Sequence, residues 1–203
     1  MTTSVTVIDY KAGNLTSVVK ALRHLGAGVT VTDHVEAVAE AERIVLPGVG
    51  HFAATKRLND SGLTAAIRAA IARCVPFLGI CVGMQWLYTR STEAPDQPGL
   101  GHFPETVERF PDGLEKVPHV GWNQLNPNST SRLFANVEKG EFAYFTHAWR
   151  APISAATSAT TEYIEPFASA VEKDMVFGVQ FHPEKSGETG LKVLRNFLGV
   201  NPC

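Results

Sequence analysis

Cysteine is scarce in this 203-residue sequence: three in all, at positions 74, 81 and 203, with no C-x-x-C pair. So sparse and odd a set excludes a disulfide framework and lacks the spacing of a zinc site, but it leaves thiol chemistry in a reducing compartment open. Charge of one sign is missing as well. The sequence has 18 basic and 20 acidic residues, a formal charge of -2 and no run of Lys or Arg. That balance leaves no electrostatic footprint for nucleic acid or an anionic membrane. No apolar segment approaches the ~18 residues of a membrane span, and the opening MTTSVTVIDY lacks the basic start and apolar core of an export signal. Repeats and low-complexity linkers are absent too. The expectation is a cytoplasmic protein that acts on a small molecule or another protein.

What is present is a hydrophobic content of 44%, enough for residues 1–203 to form one α/β domain with a full core. Ser4 to Asp9 (SVTVID) reads as a buried strand. Leu15, Val18, Val19, Leu22 and Leu25 recur at helical spacing, and Gly26 and Gly28 close that helix before the extended VTVT. RIVLPGVG is a strand running into a glycine loop, with helical stretches through Arg57 and from Leu63 to Arg73. Pro76 then opens the strand FLGIC, and MQWLY reads as the start of a further helix. This alternation predicts a mostly parallel central sheet flanked by helices, with active residues at the carboxyl ends of strands. The second half changes character. From about Pro95 to Ser131, turn residues punctuate short extended pieces such as ETVERF, predicting hairpins and loops. EFAYFTH, FASAVEK and MVFGVQF are strand candidates, and GLKVLRNFL is a closing amphipathic helix.

Three segments carry chemistry. Gly79-Ile80-Cys81-Val82-Gly83 is the cysteine form of a nucleophile elbow, in which flanking glycines allow a strained strand-to-helix turn that lifts the sulfur to the rim of the sheet. A helix N-terminus at that point also favours the thiolate. Taken alone, the motif fits a small buried cysteine equally well. In GVQFHPEKSG, Pro183 biases His182 toward extended geometry, so that Glu184, two residues on, can share its face. The imidazole then serves as a base toward Cys81, and the carboxylate orients it. A surface His and Glu at a strand end is the ordinary alternative for the tripeptide by itself. Pro47-Gly48-Val49-Gly50 can turn backbone N–H groups toward one point as an oxyanion nest, or can simply connect two elements.

Together, PGVG, GICVGMQ and GVQFHPEKSG resemble the class I, or triad, glutamine amidotransferases. DYKAGNL, LPGVGHF, KVPHVGWNQL and GLKVLRNF are similar, more narrowly, to the glutaminase subunits of imidazole glycerol phosphate synthase, over about Val5 to Phe197. That resemblance implies a flavodoxin-like fold with an added antiparallel portion. It implies Cys81 as nucleophile, His182 as base and acid, Glu184 as third triad member, and Val49 with Gly50 as the oxyanion loop. Gln85 and Glu93 match positions that contact substrate glutamine, and Ala148 and Trp149 match positions that contact it largely through backbone. The sequence departs from the family at Val82, where Leu is usual, at Lys11, where glycine is common, and at Ala148-Trp149, where a hydroxyl residue and tyrosine are common. No metal or cofactor is implied.

The resemblance also implies a partner. Ammonia released into water is mostly protonated, so the family docks on a (β/α)₈-barrel cyclase that receives it through a sealed route. Trp122, Tyr144 and Lys185 match positions at or near that interface. By spacing alone, buried aromatics and a solvated lysine are the commoner readings. Two alternatives stay open: a glutaminase feeding a sugar-aminating synthase, and a noncatalytic docking module that kept the fold. Because Val49 lies between two glycines, its peptide can rotate, and a donor turned away would keep the free subunit slow. His119 and His147 lack metal-ligand spacing and read as structural. Asp9 and Asn14 are expected to shape the loop after the first strand, Cys74 to be a small buried residue near a helix end, and Cys203 to be a mobile terminal residue.

Overall fold

The computed structural model describes residues 2–12, 15–113 and 115–201. Asn14 and Cys203 lie outside the described residues. Strands β1 (Ser4–Ile8), β2 (Gly28–Thr32), β3 (Ile44–Gly48) and β4 (Phe77–Cys81) alternate with helices α1 (Leu15–His24), α2 (Val35–Ala39), α3 (Lys56–Asp60) and α4 (Leu63–Ala72). A single turn of helix, α5 (Val82–Gln85), leads into β5 (Tyr88–Ser91), β6 (Phe103–Arg109), β7 (His119–Gln124), β8 (Asn126–Pro127) and β9 (Phe142–His147). The chain ends with β10 (Trp149–Arg150), β11 (Thr157–Tyr163), β12 (Glu165–Lys173), β13 (Val176–Val179) and helix α6 (Gly187–Leu198).

The main sheet runs β2-β1-β3-β4-β13-β12-β11-β8. Its first five strands are parallel, in the flavodoxin-like order, and β12, β11 and β8 extend it antiparallel. The expected α/β architecture is therefore present. β3, β4 and β13 are buried along their whole length, as strands covered on both faces must be. Side chains alternate between two cores. Val5, Val7, Val45, Leu78 and Ile80 pack with α1 and α6 on one face, while Ile8, Ile44, Leu46 and Phe77 pack with α2 and α4 on the other. Each such side chain contributes about 1.5–3 kcal/mol on burial.

Several local expectations need correction. A helix does start after Cys81, but it takes in only Met84 and Gln85 of MQWLY: Trp86, Leu87 and Tyr88 are all fully buried, so the run has no polar face to turn outward. The chain instead becomes extended, and Tyr88 pairs with Phe103. ETVERF, within the stretch expected to form hairpins and loops, lies in β6 apart from its last residue, and β6 pairs parallel with β5 and antiparallel with β10. Cys74 is near a helix end as expected, but it is not fully buried. It lies beyond the end of α4, half-buried, with φ +63°.

Candidate active site

The elbow forms where β4 ends. Cys81 has φ +54° and ψ −111° and is 4% exposed. The backbone strain therefore sits on the cysteine itself, not on its glycines. Those glycines serve close approach: a Cβ on Gly83 would overlap the Leu46 carbonyl oxygen, and one on Gly79 would overlap the Gly83 carbonyl. Helix α5 thus seats directly on β3 and β4, and the register that pairs Gly48 with Cys81 brings the glycine loop beside the sulfur. Tyr10, not foreseen from sequence, lies against Gly48. A Cβ on Gly48 would overlap its hydroxyl, and burial, with a further contribution from Cys81, raises the Tyr10 pKa.

β13 lies on the other side of β4, with Val179 opposite Ile80, and the chain just past it supplies His182. The His182 backbone is extended, at φ −98° and ψ 96°. Its N–H donates to the Tyr144 carbonyl at 2.9 Å, and the Ser186 hydroxyl donates to its carbonyl at 2.6 Å. Glu184 reaches the ring from a 3₁₀ turn over Pro183–Lys185 rather than by strand alternation, and places Oε1 2.9 Å from His182 Nδ1. Both side chains are 3% exposed. Burial alone would lower the His182 pKa, but hydrogen bonding and charge interaction with Cys81 and Glu184 push it up to about 10. Among the described residues Nε2 has no hydrogen-bond partner within normal geometry, and Cys81 is close enough to act on its protonation. An imidazole that holds its proton to that pH can neutralise a neighbouring thiolate.

A cavity of about 450 Å³ opens over these groups, lined by Val49, Gly50, Cys81, Gln85, Glu93, Ala148, Trp149, His182 and Lys185 among others. Gly50 has φ +88°, a conformation that favours glycine. Val49 is 38% exposed, and its N–H donates to the Ala12 carbonyl at 3.3 Å. The expected oxyanion donor is therefore engaged elsewhere. One Glu93 oxygen accepts from the Phe52 N–H at 2.8 Å. The Ala148 carbonyl accepts from Phe110 N–H, and the Trp149 carbonyl from Gln85 Nε2. Lys11, which stands where glycine is common, takes φ +62° and is tethered by Asp9 and Asp33 at 2.9 and 3.1 Å. Asp9 does shape that loop, accepting the Lys11 N–H as well.

Trp122 and Tyr144 lie outside the cavity lining but next to each other, with ring centroids 6.0 Å apart and Lys185 Nζ 5.9 Å from the Tyr144 ring. They are not core aromatics: Trp122 is 55% exposed, and Val120 and Phe142 on the same two strands are similarly open. His119 and His147 are buried and bonded to each other. The reading from sequence missed Gln180, fully buried, whose Nε2 donates to Cys81 Sγ at 3.7 Å. It lies two residues before His182, but its contact with Cys81 depends on the pairing of β13 with β4, which the local sequence does not show.

Over residues 6–200 the sequence matches the glutamine amidotransferase class-I family, the class that this fold and site define. The chain is 44% identical over 200 residues to "Imidazole glycerol phosphate synthase subunit HisH" of Chloroflexus aurantiacus, covering 96% of this chain and 94% of that protein. It is 45% identical over 196 residues to the protein of the same name from Moorella thermoacetica, covering 95% and 93%. A chain of the solved PurLQS structure from Thermotoga maritima shares the fold, with a TM-score of 0.70 at 20% identity over 98% of both chains. The chain belongs to the HisH family within the class-I glutamine amidotransferases, and is a glutamine amidotransferase.

Proposed function

We propose that this chain is the glutaminase subunit of imidazole glycerol phosphate synthase, hydrolysing glutamine with Cys81, His182 and Glu184 and passing the ammonia to a (β/α)₈-barrel cyclase in histidine biosynthesis. The observation that carries this reading is the convergence of three adjacent strand ends, β3, β4 and β13, on one cavity. Residues 1–203 act as one amidotransferase unit, because a single sheet holds all three. A reducing cytoplasm suits a free nucleophilic thiol.

In this mechanism the thiolate of Cys81 attacks the side-chain amide carbon of glutamine. His182, held by Glu184, gives its proton to the departing nitrogen, and ammonia leaves a glutamyl thioester. The same imidazole then takes a proton from water, which hydrolyses the thioester to glutamate. Glu93 has a second oxygen available for the substrate ammonium, while Gln85 and the Ala148-Trp149 backbone line the amide's path. The oxyanion needs an N–H aimed at the new C–O⁻, and in the free chain that of Val49 is held by Ala12. Docking of the cyclase is read as releasing it. The exposed apolar residues Val120, Trp122 and Phe142, with Tyr144 and Lys185 beside the cavity mouth, supply the docking face.

The test is glutamate release by the purified chain mixed with the cyclase and its nucleotide, using wild type and Cys81→Ala. Turnover that vanishes in the variant while the complex still forms is the expected result. Retained turnover refutes the assigned nucleophile.

A further inference from the structure

Two buried histidines are unused by this mechanism, and their bonding pattern is unusually determinate. The Trp149 carbonyl can only accept, so the 2.9 Å contact from His147 Nδ1 requires a proton on Nδ1. In a neutral ring His147 Nε2 is then bare. His119 Nδ1, 3.2 Å away, must donate to it. His119 Nε2 is in turn left to accept from Asn123 Nδ2 at 3.3 Å, while the other proton of that amide goes to the Glu162 carbonyl at 2.9 Å. Every donor has one acceptor, and both rings are neutral Nδ1–H tautomers. Burial holds them so, pushing His119 down to about 4 and His147 down to about 3.

The chain continues beyond Trp149. Its carbonyl also accepts from Gln85 Nε2 at 3.0 Å, whose second proton goes to Gln180 Oε1 at 3.0 Å. That fixes the Gln180 amide with Nε2 toward Cys81 Sγ, and leaves Gln85 Oε1 as that side chain's remaining acceptor. A carbonyl in mid-chain cannot pass a proton, so the series is not a proton wire. It can only orient.

We infer that His119 and His147 are positioning residues: as a tautomer-locked pair they hold the Trp149 carbonyl, and through it the Gln85 and Gln180 amides, so that Gln180 presents an N–H to the Cys81 thiolate. His119 is stacked 4.0 Å from the Tyr163 ring and 4.9 Å from Phe145, which keeps it in register with His147 across β7 and β9. Losing His119 frees His147 to take the other tautomer, and the Trp149 carbonyl then loses a donor. This inference rests on the assignment of Cys81 as nucleophile.

The test uses the full chain in two readouts that need no glutamine turnover. Ring ¹⁵N NMR is expected to show both histidines as neutral Nδ1–H tautomers from pH 5 to 8, and His147 leaving that tautomer in His119→Phe. The rate of Cys81 alkylation by iodoacetamide, followed by peptide mapping against pH, is expected to fall about threefold at pH 7 in His119→Phe and His147→Phe, with the profile moved to higher pH. His147→Asn, whose amide N–H can replace Nδ1 toward Trp149, is expected to recover the wild-type profile. A charged or Nε2–H His147 in the wild-type spectrum overturns the inference even if the Phe variants do not fold. So do folded Phe variants with an unchanged alkylation profile. Intact tautomers in a chain that releases no glutamate from glutamine with its partner fail the glutaminase reading alone.

Discussion

The elbow at Cys81 and the loop at Val49-Gly50 end neighbouring strands, yet they are built in opposite ways. The elbow is buried and strained, and glycines with no room for a side chain clamp it against β3. The loop is exposed, has open space around Gly50, and spends its key N–H on the Ala12 carbonyl. One half of the site is assembled in the free chain and the other must be moved. On the proposed mechanism the difference places control of the reaction: a nucleophile that is costly to build is kept ready, and a donor that is cheap to turn decides when it works.

That contrast can be broken at several points. Removing the assembled half has the largest effect: Cys81→Ala is expected to lower glutamate release about 10⁵-fold and Glu184→Gln about 10³-fold, measured in the complex with cyclase and nucleotide. Placing a methyl group in each half separates their roles. Gly83→Ala forces Cβ against the Leu46 carbonyl and is expected to cost more than about 3 kcal/mol, read from denaturant unfolding. Gly50→Ala meets no atom but strains a φ of +88°. It is expected to cost about 1 kcal/mol of stability while reducing turnover in the complex at least tenfold, with Cys81 alkylation unchanged.

A smaller effect is a stability optimum in pH. His182, raised to about 10, binds a proton in the folded state that the unfolded chain has released above about 6.5. Its contribution is complete below that pH and declines as the pH rises through 10. His119 and His147, lowered to about 4 and about 3, stay neutral where the unfolded chain takes up protons, so their contribution is lost as pH falls below 6.5. Unfolding midpoints are expected to decline on both sides of that pH. His182→Asn should flatten the alkaline limb, and His147→Asn the acid one.

How much of this could be read from the residues follows from which contacts are local. The parallel half was legible, because runs such as IVLPG and FLGIC are apolar throughout and strands covered on both faces must be. The spacing in G-x-C-x-G and H-P-E singled out the residues of the proposed triad, and the structure brings Cys81, His182 and Glu184 to one place. β11 was not legible, since SATTEY has no apolar alternation to mark it. The end of MQWLY, up to Tyr88 at the start of β5, was read as helix because the buried run through Trp86 and Tyr88 has no periodicity at all. The strain at Cys81 was placed on the wrong residues, since the need for glycine at 79 and 83 comes from β3, a segment far away in sequence. Gln180 and the His119–His147 pair depend on the cross-strand registers of β13 with β4 and β7 with β9, which no local pattern encodes.

On the proposed mechanism the free chain holds a finished nucleophile and an oxyanion donor whose N–H is bonded elsewhere. The most direct test is the rate of glutamate release by the chain alone and in complex with the cyclase and nucleotide, each normalised to Cys81 alkylation. An oxyanion donor is worth on the order of 10²–10³-fold, and a rise of that size at constant alkylation is the predicted result. Equal turnover in the two states would contradict it.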